Sequence, residues 1–428
     1  MRIRRTRRRR LAALATSVAM LTAGCSGSTG STGGTTTRAP AGSTGGTTTR
    51  APAGKAETTT TRASRSKPRP ARIDTVAGMP AVPDPTNLYS EAGAADLAPT
   101  VAGDLDRVYV PNSKSGTVTV IDRVARKPIA TFQAGSTPQH IVPSYDLRTL
   151  WELNNSGDTL IPIDPKTGQP GPPVLVVDPY NLYFTPDGRD AVVVAERERR
   201  LDFRDPHTMV VRSSLVLPCQ GINHIDFAID GRYLIATCEF EGAIVKVDMV
   251  RRKLVGKLML GDHGAMSMPQ DVRISPDGRS FYVADMIAGG VWVIDGASLR
   301  KTTFIPTGVG THGLYPSRDG RQLYVANRGW RTLAAGRHGP GSVSVIDFAT
   351  RKVVANWPVP GGGSPDMGNL SADGNELWLA GRYDAEVYVF DTRTGVLTSR
   401  IPVGEGPHGL TVWPQPGRYS LGHTGNMR

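Results

Sequence analysis

Apolar and polar residues alternate along most of this chain in bursts of five or six, a period of two that fits half-buried β-strands rather than helices. The bursts share an ending. Val118-Thr-Val-Ile-Asp122, Leu160-Ile-Pro-Ile-Asp164, Ile244-Val-Lys-Val-Asp248, Val291-Trp-Val-Ile-Asp295, Val343-Ser-Val-Ile-Asp347 and Val387-Tyr-Val-Phe-Asp391 all close on aspartate, and a degraded copy closes on Asp205. Successive aspartates lie 42, 41, 43, 47, 52 and 44 residues apart, so the unit is about 42 residues with insertions in later copies. A second mark is the Asp-Gly turn of Asp187-Gly188, Asp230-Gly231, Asp277-Gly278, Asp319-Gly320 and Asp373-Gly374, each followed by another β-rich run. Asp-Gly between such runs is a strong hairpin signal, because glycine supplies the positive φ of the turn.

Each unit therefore offers four short strands: one before the Asp-Gly turn, one after it, the burst that ends in aspartate, and a fourth such as Val353 to Val359. Four strands repeated every 40 to 45 residues are the signature of a β-propeller blade. The expected fold is all-β, a seven-bladed propeller of four-stranded antiparallel blades spanning residues 73–428. An extra first-type strand at His408 to Trp413 would complete the blade begun near Val108, removing the free sheet edges. An eight-bladed ring, with residues 95–107 as a strand of their own, is the alternative.

The segments Leu323-Tyr-Val-Ala-Asn327, Ser342-Val-Ser-Val-Ile-Asp347 and Ile274-Ser-Pro-Asp-Gly278 resemble the YVTN-type, YncE-like propeller repeat, and the resemblance covers nearly everything from residue 97 to 420. That superfamily is shared with the propellers of haem d1 nitrite reductase and nitrous oxide reductase, with lactonases, surface-layer proteins and a DNA-binding periplasmic protein. The resemblance thus implies a fold and leaves the function open.

In a propeller the first strand of each blade lines the central channel. The positions where these strands begin are His140, Asn181, His224, Asp271, His312, Asp366 and His408. His140, His224, Asp271, His312, Asp366 and His408 are the candidate ligand-binding residues of one channel mouth. The four histidines are candidate ligands for copper, zinc or iron, or for a haem d1-like group, because neutral imidazole with carboxylate suits such metals. A structural reading stands beside this one: Gly310-Thr-His-Gly313 and Gly406-Pro-His-Gly409 are equivalent positions, so duplication alone places histidine at both. Gly308-Val-Gly-Thr-His-Gly313 and Gly404-Glu-Gly-Pro-His-Gly409 also fit G-x-G-x-x-G, but each leads into a strand, so no helix N-terminus is offered to a pyrophosphate. Catalytic residues cannot be assigned from any motif.

The three cysteines divide by position. The start has the charged, apolar and small-residue parts of a secretory signal over residues 1–24, and Leu21-Thr-Ala-Gly-Cys25 resembles a bacterial lipoprotein signal, which implies lipidation of Cys25. The arginine run also resembles twin-arginine signals, and the export route stays open. Residues 25–72 repeat STGGTTTRAPAG at 31–42 and 43–54 and are rich in Ser, Thr, Gly and Pro, the composition of a disordered linker. Cys219 and Cys238 remain, and outside the cytoplasm a disulfide between them is expected.

The formal charge of +12 points toward nucleic acid until it is placed. Residues 1–24 hold +7 and residues 25–72 another +7, which leaves −2 on residues 73–428. Single-stranded DNA binding is therefore disfavoured. The reading that remains is an exported, lipid-anchored monomer on the extracytoplasmic face of the cell membrane, or otherwise secreted. It binds or scaffolds an envelope protein or small ligand at the histidine-bearing mouth. A metal- or haem-bearing redox enzyme or a lactonase-like hydrolase is the alternative. The ending from Tyr419 to Arg428 is expected to pack across the mouth as a plug.

Overall fold

The computed structural model describes residues 72–261, 266–332 and 339–428. The signal, Cys25 and all but the last residue of the linker lie outside the described residues, as do His263, Arg337 and His338 of two loops.

Seven four-stranded antiparallel sheets form the ring. Blade 1 runs from Arg107 to Gln133, blade 2 from Pro138 to Leu175, blade 3 from Pro179 to Val216, blade 4 from Ile222 to Met259, blade 5 from Pro269 to Pro306, blade 6 from Thr311 to Pro358 and blade 7 from Pro365 to Pro402. The innermost strand of blade 1 is Thr411–Trp413, which pairs with Arg107–Tyr109 and closes the circle with the chain's far end. Residues 95–107 form no blade of their own. Leu97 makes only an isolated bridge to Gly417.

The repeating residues have local jobs. Each burst-ending aspartate accepts hydrogen bonds from the backbone N–H groups of the turn that follows, as Asp122 does from Ala125 (2.9 Å), Asp295 from Ser298 (2.8 Å) and Asp347 from Thr350 (2.7 Å). The carboxylate satisfies amides that the sheet leaves unpaired, which explains why the period is marked by Asp. The Asp-Gly glycines take the positive φ their turns need, Gly278 at 69° and Gly231 at 74°. Blade 2 lacks an Asp-Gly pair, and Leu147 occupies that position at φ 62°.

One irregularity in the first strands shapes the channel. Pro138 pairs with Asn154 but Ile141 with Glu152, so two residues of the inner strand face one of its neighbour. The same shift occurs in blades 4, 5, 6 and 7 between Ile222 and Ile225, Pro269 and Val272, Thr311 and Leu314, and Pro365 and Gly368. Such a β-bulge re-aims side chains, and here it sends two consecutive residues per blade toward the axis.

Both termini cover the Asp-Gly face. The segment 72–106 runs across it: Leu88 donates its N–H to the Pro276 carbonyl (2.8 Å), Tyr89 its hydroxyl to Ile274 (2.7 Å) and Val76 its N–H to Asp230 (2.9 Å). After Trp413 the chain turns back into the channel from this same face. Phe184 N–H bonds the Leu421 carbonyl (3.0 Å), His423 N–H bonds that of Leu182 (2.9 Å), and Thr424 donates to Gly368 (2.8 Å). Tyr419 and Leu421 join the core between blades 3 and 4, and Met427 joins that of blades 1 and 2. The tail is a plug, but it fills the channel from the end opposite the expected mouth.

Candidate functional site

The expected channel residues are all brought together, in two tiers rather than one ring. His140, Asn181, His224 and Asp271 occupy the second bulge position, in register with Gly313, Met367 and Gly409. His312, Asp366 and His408 occupy the first bulge position, one residue earlier, together with Gln139, Tyr180, Asn223 and Gln270. The sequence reading takes one residue per blade, and only the pairing register shows which tier that residue enters. Glycine at 409 is required, because a Cβ there would lie 2.1 Å from Cδ2 of His140.

The upper tier is built around Asp366. Its Oδ1 accepts from Arg328 Nε (2.7 Å) and lies 2.9 Å from His312 Nδ1, and its Oδ2 lies 3.5 Å from His408 Nε2. Burial alone would raise this carboxyl. Arg328 and the two histidines outweigh it and hold the group well below the usual range. His312 is pushed down to about 4 by burial and by Arg328.

The lower tier contains a residue that was not foreseen. His423, from the plug, comes up beneath His140 and His224, with ring centroids 5.3 and 4.7 Å from theirs. His140 donates from Nδ1 to the Tyr180 carbonyl (3.0 Å), while Nδ1 of His224 and of His423 face the amide of Asn181 at 3.1 and 3.2 Å. All three side chains are fully buried, and among the described residues none of the three Nε2 atoms has a hydrogen-bond partner. Burial pushes His140 down to about 4 and His224 and His423 well below 6.5, so the rings are neutral at physiological pH. The signal for His423 is present in the sequence: Gly422-His-Thr-Gly425 sets a histidine between glycines, as at His312 and His408, after the repeats are exhausted.

Above both tiers lie the first residues of the loops joining second and third strands. They include Asn155, Glu196, Glu239, Met286, Arg328 and Arg382. Glu239 accepts from Asn223 (2.5 Å) and Gln270 (3.0 Å). Burial, then the neighbouring Glu239 and Asp178, pushes Glu196 up to about 8. Arg382 is half-buried, and its Nη1 reaches only Ser113 Oγ (3.2 Å) and the Gly406 carbonyl (3.4 Å). Among the described residues no carboxylate lies within ion-pair distance of it. Burial lowers its pKa, the more distant charge of Asp366 opposes this, and Arg328 adds to the lowering. A haem-sized macrocycle does not fit against the imidazoles, since each of His140, His224, His312 and His408 is at most 2% exposed beneath this tier.

Cys219 and Cys238 are joined as a disulfide, with S–S 2.02 Å, and clamp the loop that leads into the strand carrying His224.

These features define a seven-bladed β-propeller whose channel is plugged from one face and lined with neutral histidines toward the other. Residues 69–416 match the YNCE-like beta-propeller family, and the chain belongs to it. No curated protein matches the sequence. Among solved structures the chain is similar to hydrazine synthase of Kuenenia stuttgartiensis, at 23% identity over 64% of this chain and 88% of that one with a TM-score of 0.53. It is also similar to a dihydro-haem d1 dehydrogenase, at 15% identity over 72% and 75% of the two chains with a TM-score of 0.53. A further similar structure is a putative 6-phosphogluconolactonase of Bacteroides uniformis, at 17% identity over 71% and 99% with a TM-score of 0.57. At these identities the likeness is one of fold.

Proposed function

We propose that the chain is an exported, membrane-tethered binding propeller that takes a small ligand bearing an anionic group at the loop-face mouth of its channel. The observation that carries this reading is Arg382, a half-buried cation at the mouth without a carboxylate partner among the described residues. A buried or half-buried cation is stabilised by an opposite charge, and a carboxylate or phosphate would supply it through charge-assisted hydrogen bonds. Glu196 and Glu239 across the mouth restrict where the anion sits. The plug closes the opposite end, so the ligand approaches from the loops.

Small carboxylates and inorganic phosphate, titrated into the purified protein, are expected to raise its melting temperature saturably. Arg382→Met should weaken that binding 10-fold or more, the loss of one charge-assisted contact of about 1.5–3 kcal/mol. If no anion binds, or if the variant binds as well, the reading fails.

The tether rests on the lipoprotein-like residues before Cys25. In fractionated cells the full chain is expected in the membrane and a Cys25→Ser variant in the soluble extracytoplasmic fraction. Equal distribution of the two would count against the anchor.

A further inference from the structure

Three buried imidazole nitrogens that no described residue hydrogen-bonds, gathered in one place, are a cost the fold sustains for no visible return. A buried polar atom left unpaired costs about 1–3 kcal/mol, and such atoms are rare in native interiors. Here Nε2 of His140, His224 and His423 are all of this kind. One ligand atom from each ring can be chosen so that the three lie within 4.8 Å of one another. His423 is further held at φ 51°, a left-handed conformation unfavourable for a side chain with a Cβ.

We propose that His140, His224 and His423 form a three-histidine site for a divalent transition-metal ion of the zinc or copper kind, and that the ion locks the C-terminal plug into the channel. Two of the ligands belong to the ring and the third to the tail, so the metal bridges the two. Three neutral imidazoles with an open fourth position are a zinc donor set, and small ring movements bring the nitrogens to the Zn–N distance of about 2.0–2.1 Å. Asp271 Oδ1 lies 3.7 Å from His423 Nε2, but Arg273 at 3.3 Å balances its charge, so the three imidazoles alone are the donor set. His312 and His408 form a second group with Asp366, but Arg328 occupies one oxygen of that carboxylate at 2.7 Å, and no residue of the tail takes part there. The four histidines expected to act together are thus divided, and the tail provides the missing member.

Asn181 decides whether the site is open. His140 has its Nδ1 proton fixed by the Tyr180 carbonyl, so its Nε2 lone pair is free. Asn181 turns Nδ2 toward the other two rings and Oδ1 toward the Leu182 N–H (2.9 Å), which leaves protons on their Nε2 atoms. A half-turn of the amide presents Oδ1 instead, moves both protons to Nδ1 and frees both lone pairs. The ion favours that turned state. A carboxylate at this position would hold the rings so permanently, in the manner of a carboxylate–histidine–metal arrangement, and still accept from Leu182.

The test is a zinc titration of the chelator-treated full chain, with elemental analysis and hydrogen exchange of residues 419–428, no anionic ligand being present. One equivalent of zinc is expected, with slowed exchange in the tail. His423→Ala should lower zinc affinity at least 100-fold and abolish the slowing. Asn181→Asp should tighten binding about 10-fold, and His207→Ala, at an exposed turn of blade 3, should leave it unchanged. A merely structural Asn181 predicts weaker binding in Asn181→Asp. Failure of the wild-type chain to take up stoichiometric zinc or copper, or equal uptake by His423→Ala, would overturn the proposal without touching the anion reading at Arg382.

Discussion

Ending the chain at Arg418 is expected to leave a closed ring that melts about 5 °C lower, whereas ending it at Gly406 leaves no cooperative fold at all. The first truncation removes Tyr419, Leu421 and Met427, each at most 5% exposed in the native state. Burial of such side chains is worth about 1.5–3 kcal/mol each. It also removes Asn426 and Arg428, which donate to Asp226 Oδ1 at 2.9 and 3.2 Å. Asp226 is fully buried and keeps only backbone donors and charges farther off, so its charge becomes costly. Freed tail residues regain conformational entropy, which offsets part of the loss and leaves a net of a few kcal/mol. With an unfolding entropy of about 2.1 cal/mol/K per residue over residues 73–428, each kcal/mol moves the midpoint by about 1.4 °C, and that is the stated shift. The second truncation also removes Thr411–Trp413, exposes the edge of Arg107–Asn112 and opens the circle between blades 1 and 7. Differential scanning calorimetry separates the two cases. A chain ending at Arg418 that melts with the wild type would show that the plug is an ornament, and a chain ending at Gly406 that melts cooperatively would show that ring closure is not needed.

The blades were legible because their determinants are local. Asp122, Asp295 and Asp347 mark the period by capping turns within three residues of themselves, and Gly278 or Gly231 marks a hairpin by its own φ. The closing strand was legible too, since Leu410 to Trp413 repeats the pattern of the other inner strands. The tiers were not. His140 and His312 both stand next to the start of a strand, and their depth depends on one residue of bulge register set by pairing with a neighbour. The plug was harder still. Gly422 takes φ 95° and its Cα hydrogen faces the Leu182 carbonyl, where a Cβ would lie 2.4 Å away. Nothing within ten residues of it says that this surface belongs to blade 3. The cover over the Asp-Gly face, from 72 to 106, is likewise held by single anchors such as Tyr89 on Ile274, with no pattern of its own.

The pH dependence of stability follows from five imidazoles that are neutral when folded. His140 and His312 are lowered to about 4, and His224, His408 and His423 are lowered well below 6.5, burial being the main cause in each. Between these values and 6.5 the unfolded chain binds protons that the folded one refuses, so each histidine removes about 1.4 kcal/mol of stability per pH unit as the solution is acidified. Glu152, Glu196 and Glu239 act in the opposite sense. Burial raises all three, Glu196 to about 8, so above about 4.5 the folded state holds protons that the unfolded state has lost, and acidification stabilises it. The glutamates dominate above about pH 6.5, where few unfolded histidines are charged. Below it five histidines oppose Glu152 and Glu196, with Glu239 adding only a part, a net of two to three protons and a loss of about 3–4 kcal/mol between pH 6 and 5. Under about pH 4.5 the glutamates protonate in the unfolded chain as well, their opposition ends, and Asp366, held well below its usual range, adds to the loss. Urea midpoints of the chelator-treated, metal-free chain, followed by tryptophan fluorescence, should therefore peak near pH 6 to 6.5, decline toward pH 5 and collapse below 4.5. Glu152→Gln, which removes one opposing proton, should steepen the decline between pH 6 and 5 by about 1.4 kcal/mol per pH unit. A midpoint that stays level from pH 6.5 to 4.5 would mean that the channel histidines carry protons in the folded protein, and the neutral rings on which a metal site depends would be absent.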